Sequence, residues 1–378
     1  MIKKLAISST ALLALLLCAT PVNAYNYTPV PGTTSRFEKV INLDENAHVP
    51  NVNYTYTVEA GTPKAPSEKN LPVYAGNDPM RTNGQMPTVS EIKFKASDAH
   101  DGDDATRVTK AASVDFDGVT YNEPGVYRYV ITESGNSQAI QEDADRTRAL
   151  DVYVQDVNGT LQINGYIFHT DETADAVKDS TQLMQADKST GYEATYVTHD
   201  LEINKTVAGN QASHDEYFAF TVDIDDAVPE TVYTVDLANA EATTSINGAS
   251  HEAHQNADSL TIGADGTLHT TYWLQHNQKI KILGLAEGTT YTVTEANQDY
   301  VVSNTRFEND TTGIVSQSAT ATDEDGITND SIVKYINRKE GVIPTGLSVK
   351  YAPFVFGTAG GIALIAAILI RKKKDKNK

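Results

Sequence analysis

The sequence predicts an all-β protein with two sandwich-like domains between an N-terminal leader and a C-terminal apolar segment. Short runs that alternate polar with apolar or aromatic residues recur along the chain, as in 53–58 and 125–132. Helical periodicity is nearly absent outside the two termini. About 320 residues separate the termini, which is enough for two domains that each bury a core. An internal repeat places these domains at 37–199 and 200–340.

The N-terminus is predicted to be a secretory signal peptide over residues 1–24. Two lysines precede an apolar run from 5 to 17, and the small-residue motif that ends at Ala24 suits cleavage. The segment 25–36 is rich in Pro, Thr and Ser and is expected to be a flexible leader. The single cysteine lies inside the signal peptide. The exported chain is therefore expected to lack disulfides, zinc–thiolate sites and cysteine nucleophiles.

The individual strands follow from the same alternation of residues. Strands are predicted at 53–58, 119–121 and 125–132. A hairpin is predicted for 151–168, because Asn158-Gly159 separates two alternating runs and suits the positive φ angles of a type I′ turn. The stretch 59–86 contains four prolines and is expected to form a long loop.

A weak internal repeat supports the division into two domains. The repeated segments are 37–41 with 201–205, 54–58 with 218–222, and 129–133 with 291–295. Each half carries a lysine on an early strand and a glutamate on a strand about ninety residues later, first Lys39 and Glu133, then Lys205 and Glu295. We place the domain boundary near His199.

The acidic composition restricts the classes of partner. The chain has 50 acidic and 30 basic residues, which gives a formal net charge of −20. Such a surface repels nucleic acid and anionic membranes. The sequence contains no His-Glu-x-x-His motif, phosphate-binding glycine loop or nucleophile elbow. We therefore predict no metal site and no cofactor.

The C-terminus combines three features in a fixed order. They are the pentapeptide Val342-Ile343-Pro344-Thr345-Gly346, the uncharged apolar run 351–370 and the basic tail 371–378. An apolar helix of this length can just span a bilayer core of about 30 Å. The basic residues beside it are expected to stay cytoplasmic, so the rest of the chain is expected outside the cell.

This order of features resembles the sorting signal of Gram-positive surface proteins, whose usual pentapeptide is Leu-Pro-x-Thr-Gly. The resemblance implies that a sortase recognises Val342, Ile343 and Pro344. It further implies cleavage between Thr345 and Gly346 and transfer of the threonine carbonyl to an amine, so that the membrane helix is temporary. The residues alone leave open a simple membrane anchor.

The lysine–glutamate repeat is completed in the second half by Asn337, on a Tyr-Ile-Asn strand. These segments resemble the immunoglobulin-like domains of the collagen-adhesin B type, and the whole chain resembles backbone pilins of the group A streptococcal T-antigen type. The resemblance implies an intramolecular isopeptide bond between Lys205 and Asn337, assisted by Glu295. Burial is expected to lower the pKa of the lysine and raise that of the glutamate, which frees the amine for attack and supplies a proton.

The first domain departs from the family pattern. Lys39 and Glu133 occupy the expected places, but Ala194 stands where the resemblance requires an asparagine. Alanine has no carboxamide, and the next Asn or Asp, Asp200, lies about 20 Å further along an extended strand. Two interpretations stay open. Lys39 and Glu133 form a buried ion pair, or Lys39 bonds to an acceptor that the pattern does not identify.

Polymerisation also requires an amine from a neighbouring subunit. In the pilins that the chain resembles, a lysine just before the last strand of the first domain accepts the threonine of the next subunit. Lys188 is the best match, and Lys178 is the second choice. The alternative is that both are ordinary surface lysines.

Together these observations favour a structural subunit of a covalent pilus on the surface of a Gram-positive cell, and not an enzyme. The implied partners are a pilin-class sortase and further copies of the chain, with minor pilins and peptidoglycan as additional partners. Two other functions stay open, a single wall-anchored adhesin and a secreted enzyme. The only chemistry predicted for the chain itself is one autocatalytic bond-forming turnover.

Overall fold

The computed structural model describes residues 34–178, 188–240, 243–246, 249–296, 299–308 and 313–342, and within these ranges the chain forms strands and loops without a helix. The strands of the first half are β1 (Thr34–Asn42), β2 (Val52–Ala60), β3 (Val73–Ala75), β4 (Thr88–Val89), β5 (Ile92–Phe94), β6 (Arg107–Asp115), β7 (Gly125–Ser134), β8 (Ile140–Glu142), β9 (Thr147–Val157), β10 (Thr160–His169) and β11 (Gly191–Tyr196).

The second half contributes thirteen further strands to the part of the chain that the structure describes. They are β12 (Thr198–Ala208), β13 (Phe218–Asp225), β14 (Val232–Asp236), β15 (Thr243–Ile246), β16 (Ala249–His254), β17 (Ser259–Thr261), β18 (Leu268–Leu274), β19 (Lys279–Ala286), β20 (Thr290–Glu295), β21 (Val301–Glu308), β22 (Ile314–Ser316), β23 (Thr320–Asp323) and β24 (Ser331–Arg338).

Two sheets enclose the core of the first half. The five-stranded sheet has the order β4-β6-β1-β11-β8, and the other has the order β10-β9-β7-β2-β5 with β3 paired to β7. Side chains from both sheets, such as Phe37 and Ile41 on β1 and Tyr127 and Ile131 on β7, join one buried cluster. β1 runs parallel to β11, so the first and last strands of this half are neighbours.

The second half repeats this arrangement with different strand numbers. Its seven-stranded sheet has the order β17-β14-β19-β12-β24-β21-β22, and its four-stranded sheet has the order β18-β13-β20-β23. Alternate residues of β12 and β24 are buried, and they pack on the core with β13 and β20. β12 and β24 are again parallel neighbours. The prediction of an all-β chain of sandwich domains is confirmed.

The strand predictions agree with the structure at most positions. The predicted hairpin is formed by β9 and β10, and φ is +54° at Asn158 and +84° at Gly159, as a type I′ turn requires. The predicted strand at 119–121 is wrong. β6 ends at Asp115, and the chain then turns through Gly118, with a hydrogen bond from Val119 N to Phe116 O of 2.9 Å. Three alternating residues are too few to tell a strand from a loop.

The two halves are in contact through several polar and apolar groups. The His48 ring nitrogen and Thr234 Oγ1 lie 3.0 Å apart, and Asn51 Nδ2 donates to Pro229 O at 2.9 Å. Only Val197 separates β11 from β12. The last strand of the first half therefore leads directly into the first strand of the second.

Several predicted segments lie outside the described residues. They are the signal peptide, the leader up to Thr33, the sorting-signal residues from Ile343 to Gly346, the apolar run 351–370 and the basic tail 371–378. Val342 lies within the described part and is exposed. Among the described residues, no helix is long and apolar enough to cross a membrane.

A fully buried ionic cluster joins two strands of the first half. Arg128 on β7 donates from Nε and Nη2 to the two carboxylate oxygens of Asp151 on β9, at 2.7 and 2.8 Å, and the His169 ring lies 3.1 Å from the same carboxylate. The guanidinium also donates to the backbone carbonyls of Glu172 and Ala174, at 2.6 and 2.8 Å. The cluster therefore holds the segment after β10 against the sheet.

Replacing Arg128 by Met is expected to lower the free energy of opening of the first half by about 3–5 kcal/mol, because Asp151 stays buried without its bidentate partner. Native-state hydrogen exchange of the β7 and β9 amides measures this change separately from the second half. Arg107→Met is the control, since the Arg107 side chain is partly exposed and its Nε lies 3.4 Å from Asp101 Oδ2. We expect the control to change the opening energy by less than about 1 kcal/mol, and equal effects would contradict the role of the cluster.

Candidate functional site

The second half brings Lys205, Glu295 and Asn337 together in its core. Lys205 lies on β12 and Asn337 on the adjacent parallel strand β24, while Glu295 ends β20 in the facing sheet. In the parallel register Lys205 is opposite Tyr335, and Asn337 is opposite Val207. The exposed fractions of Lys205, Glu295 and Asn337 are 1%, 1% and 0%.

One carboxylate oxygen contacts both prospective reactants. Lys205 Nζ lies 2.8 Å from Glu295 Oε1, and Asn337 Nδ2 donates a short hydrogen bond to the same oxygen. The amine and the carboxamide are therefore held around one carboxyl group, as intramolecular attack requires.

Aromatic rings form the walls of this site. Lys205 Nζ lies 3.9 Å from the ring centroid of Phe218 and 5.6 Å from that of Phe220, and Tyr335 packs edge-on against Phe220. Burial lowers the pKa of Lys205 to about 8, against the opposing effect of the nearby carboxylate. Burial also raises the pKa of Glu295. Both directions favour a neutral amine beside a neutral carboxylic acid.

Two oxygens in the site lack a hydrogen-bond donor. Asn337 Oδ1 and Glu295 Oε2 are buried and have no partner among the described residues. A buried acceptor without a donor costs about 1–3 kcal/mol. If Glu295 is protonated, its carboxyl group becomes a hydrogen-bond donor within this pair of oxygens. The raised pKa of Glu295 agrees with protonation.

The first half contains a closely matched set around Lys39. Lys39 is opposite Tyr192 in the β1–β11 register, as Lys205 is opposite Tyr335. Tyr192 donates to Ile131 O at 2.8 Å, and Tyr335 donates to the corresponding carbonyl of β20 at 2.6 Å. Glu133 then lies 2.7 Å from Lys39 Nζ, with both side chains fully buried. Burial raises the pKa of Glu133.

The register also places Ala194 at the asparagine position. Ala194 is opposite Ile41, two residues after Lys39, just as Asn337 is opposite Val207. The alanine is buried, with 3% of its surface exposed. No carboxamide therefore reaches Lys39 from β11.

A second carboxylate, which the sequence pattern does not predict, lies beside Lys39. Glu142 Oε2 lies 2.8 Å from Lys39 Nζ, and Tyr54 donates to Glu142 Oε1 at 2.8 Å. Glu142 belongs to the three-residue strand β8, which pairs with β11 so that Glu142 is opposite Ala194. A three-residue strand is too short for its alternation of residues to predict this pairing, and the segments of the internal repeat do not include Glu142.

The two candidate acceptor lysines differ in their surroundings. Lys188 is half-buried beside β10, where it forms an isolated bridge with His169, and burial lowers its pKa. Lys178 is exposed, and its Nζ donates to Ser67 O at 2.7 Å. A lowered pKa increases the fraction of nucleophilic amine at neutral pH.

Comparison with known proteins gives matches along most of the chain. Residues 36–175 match the Spy0128-like isopeptide containing domain, and residues 199–338 match a domain of unknown function, DUF7601. A protein of Streptococcus pyogenes serotype M1 named "Pilin" is 23% identical over 374 residues, which cover 96% of this chain and 98% of the relative. The chain is similar to a streptococcal pilin. This confirms the resemblance that the sequence motifs predicted.

Solved structures show the same likeness in fold. The major pilin of S. pyogenes matches with a TM-score of 0.56 and 18% identity, over 82% of this chain and all of that one. A second structure, of the major pilin T3.2 of that species, matches with a TM-score of 0.54 and 20% identity over the same fractions. The likeness to these pilins therefore extends across both halves of the described chain.

The pKa of Lys205 predicts a pH dependence in the Asn337→Ala variant, which lacks the carboxamide. An ordinary lysine has a pKa of 10.5, and that of buried Lys205 is about 8. Below pH 8 Lys205 is protonated in both the folded and the unfolded state, so the burial of its charge lowers the unfolding free energy by the full amount. Above about pH 8 the folded state loses its proton first, so stability is expected to rise by about 2 kcal/mol between about pH 7.5 and 9.5.

Chemical denaturation of the second half at a series of pH values measures this rise. The matched control adds Lys205→Met to Asn337→Ala, which keeps every other titrating group and removes the amine. We expect the difference in unfolding free energy between the two variants to change with pH. A constant difference would show that Lys205 is not a buried amine of lowered pKa.

Proposed function

We propose that this protein is the backbone subunit of a covalently polymerised pilus on the surface of a Gram-positive cell. The observation that carries the proposal is the likeness to a named pilin over 96% of this chain and 98% of that relative. The match of residues 36–175 to an isopeptide containing domain supports it. The chain then serves as a structural unit in two domains, 37–199 and 200–340, after removal of the signal peptide.

The geometry of the second-domain site supports an isopeptide bond between Lys205 and Asn337. The proton of Lys205 passes to Glu295, which lies 2.8 Å away, and the neutral amine attacks the carboxamide carbon of Asn337. The protonated Glu295 polarises the carboxamide and then protonates its nitrogen, which leaves as ammonia. One N–C bond forms and one breaks, and the site turns over once.

Such a bond has a direct mechanical consequence. It joins β12 and β24, the first and last strands of the second domain, which are adjacent and parallel. Tension that enters near Val342 then passes from Asn337 to Lys205 through a covalent bond. The hydrogen bonds between β12 and β24 then carry none of that load. An isopeptide also does not depend on the redox conditions outside the cell, unlike a disulfide.

Polymerisation requires two further groups. A pilin-class sortase would cleave after Thr345, with Val342, Ile343 and Pro344 as its recognition residues, and would transfer the threonine carbonyl to the next subunit. We assign the accepting amine to Lys188, since its pKa is lowered by burial. The membrane span at 351–370 holds the subunit only until this transfer.

The mass of the purified ectodomain, residues 25–340, tests the second-domain bond. The Glu295→Ala variant is expected to lack the loss of about 17 Da that accompanies release of ammonia in wild type, because it removes the proton carrier. The control is Glu202→Ala, which replaces a partly buried glutamate on β12 that pairs with Lys279. If the peptides that contain residues 205 and 337 have their unmodified masses in both wild type and Glu295→Ala, the bond does not form.

Polymer formation in cells tests the acceptor. Lys188→Arg is expected to abolish the ladder of covalent multimers on a denaturing gel, because arginine keeps the charge but is not a nucleophile at neutral pH. Lys178→Arg is the matched control and should leave the ladder intact. Loss of the ladder in the control alone would assign Lys178 instead. Wall-linked monomers without multimers in wild type would favour a single anchored adhesin.

A further inference from the structure

The two domains differ by a paired exchange around their lysines. In the second domain Asn337 on β24 is opposite Val302 on β21. In the first domain the equivalent pair is Ala194 on β11 and Glu142 on β8. The side chain with a carbonyl group has therefore moved from the strand beside the lysine to the next strand in the sheet. A small residue and an apolar residue occupy the other two places.

The lengths of the side chains agree with this exchange. Neighbouring strands are about 4.8 Å apart, so β8 and β1 are separated by about 10 Å across β11. Glutamate has one methylene more than asparagine, and alanine leaves room above β11. Glu142 Oε2 thus reaches Lys39 Nζ at 2.8 Å from two strands away.

The aromatic residues beside the lysines also differ between the domains, since tyrosines in the first domain stand where the second has phenylalanines. Tyr56 is opposite Glu133, as Phe220 is opposite Glu295, so Tyr54 is the counterpart of Phe218 two residues earlier. The added hydroxyl of Tyr54 donates to Glu142 Oε1 at 2.8 Å. A donor on one carboxyl oxygen stabilises the negative charge that develops there when a nucleophile attacks the carboxyl carbon.

We propose that Lys39 and Glu142 form an intramolecular amide in the first domain, with Glu133 as the proton-transferring residue and Tyr54 as the oxyanion donor. Glu133 Oε1 lies 2.7 Å from Lys39 Nζ, which places the proton carrier on the amine side of the reaction. Tyr54 contacts the other oxygen of the acceptor. Each part of the second-domain site therefore has a counterpart, although its acceptor comes from a different strand.

The reaction balances as a dehydration. The ammonium of Lys39 gives a proton to Glu133, and the amine attacks the carboxyl carbon of Glu142. The N–C bond forms, and the C–O bond to Glu142 Oε2 breaks. That oxygen leaves as water with two protons that come from the lysine nitrogen, one of them through Glu133. No oxidant, reductant or cofactor takes part.

The surroundings favour condensation over the ion pair. Lys39 and Glu133 are fully buried, and the Glu142 side chain is only 11% exposed. Glu133 and Glu142 share the one ammonium of Lys39, and Arg146 Nη2, on a side chain that is 28% exposed, lies 3.4 Å from Glu133 Oε1. Each charge that is buried in this low-dielectric interior is costly to desolvate. The amide removes one charge of each sign, and the closed site restricts the water that would hydrolyse it.

Peptide mass mapping tests the proposal directly on the wild-type ectodomain. Trypsin is expected to yield a branched product of residues 37–64 and 129–146 that is about 18 Da lighter than the two peptides together. Tandem mass spectrometry should place the branch at Glu142, because 129–146 also contains Glu133. Separate peptides of unmodified mass, or a branch at Glu133, would overturn the proposal. A second-domain bond gives different peptides, so the two proposals fail independently.

The Glu142→Gln variant supplies a sharper test. Glutamine can accept the same amine with loss of ammonia, so the branched product should have the same mass as in wild type, although the unlinked chain is about 1 Da lighter. Glu142→Ala should remove the product, and Glu193→Ala, which replaces an exposed glutamate on β11, should keep it. A branched product that persists in Glu142→Ala would overturn the assignment.

Discussion

A lysine buried against a glutamate between two sheets is the constraint that organises each domain. On β12, Leu201, Ile203 and Val207 fill the other inward positions, so Lys205 interrupts an apolar face. A buried ammonium costs several kcal/mol unless a partner compensates it. The facing sheet supplies that partner at 2.8 Å in the second domain and at 2.7 Å in the first. The alignment of the two sheets therefore has to satisfy this contact as well as the apolar core.

Features that depend on local residue patterns could be predicted from the sequence, whereas those that depend on the pairing of distant strands could not. The fold class and the sets Lys39–Glu133 and Lys205–Glu295 follow from strand alternation and from the repeat, which are local patterns. Glu142 could not be found in this way, because its position depends on the pairing of a three-residue strand with β11. The erroneous strand at 119–121 has a related cause, since a turn after β6 outweighs a short alternation. Register between distant strands is a tertiary property and is only weakly encoded in short segments.

The parallel pairing of terminal strands gives both domains the same opportunity for covalent closure. β1 lies beside β11, and β12 lies beside β24. In each pair a tyrosine opposite the lysine donates to the strand that carries the glutamate. This hydrogen bond fixes the distance between the sheets at the reacting groups. Positioning of this kind, more than any unusual reactivity of the residues, supplies the effective concentration that amide formation needs.

The proposed bonds would have different mechanical roles. If Lys188 accepts the neighbouring subunit, the covalent path through one subunit runs from Lys188 along β11 into β12, crosses from Lys205 to Asn337, and continues to Thr345. Most of the first domain then lies outside this path, and β11 is its only strand under load. β11 lies between β1 and β8, and an amide from Lys39 to Glu142 would pass over Ala194 and join those two strands. The second-domain bond would therefore carry tension, whereas the first-domain bond would keep the loaded strand within its sheet.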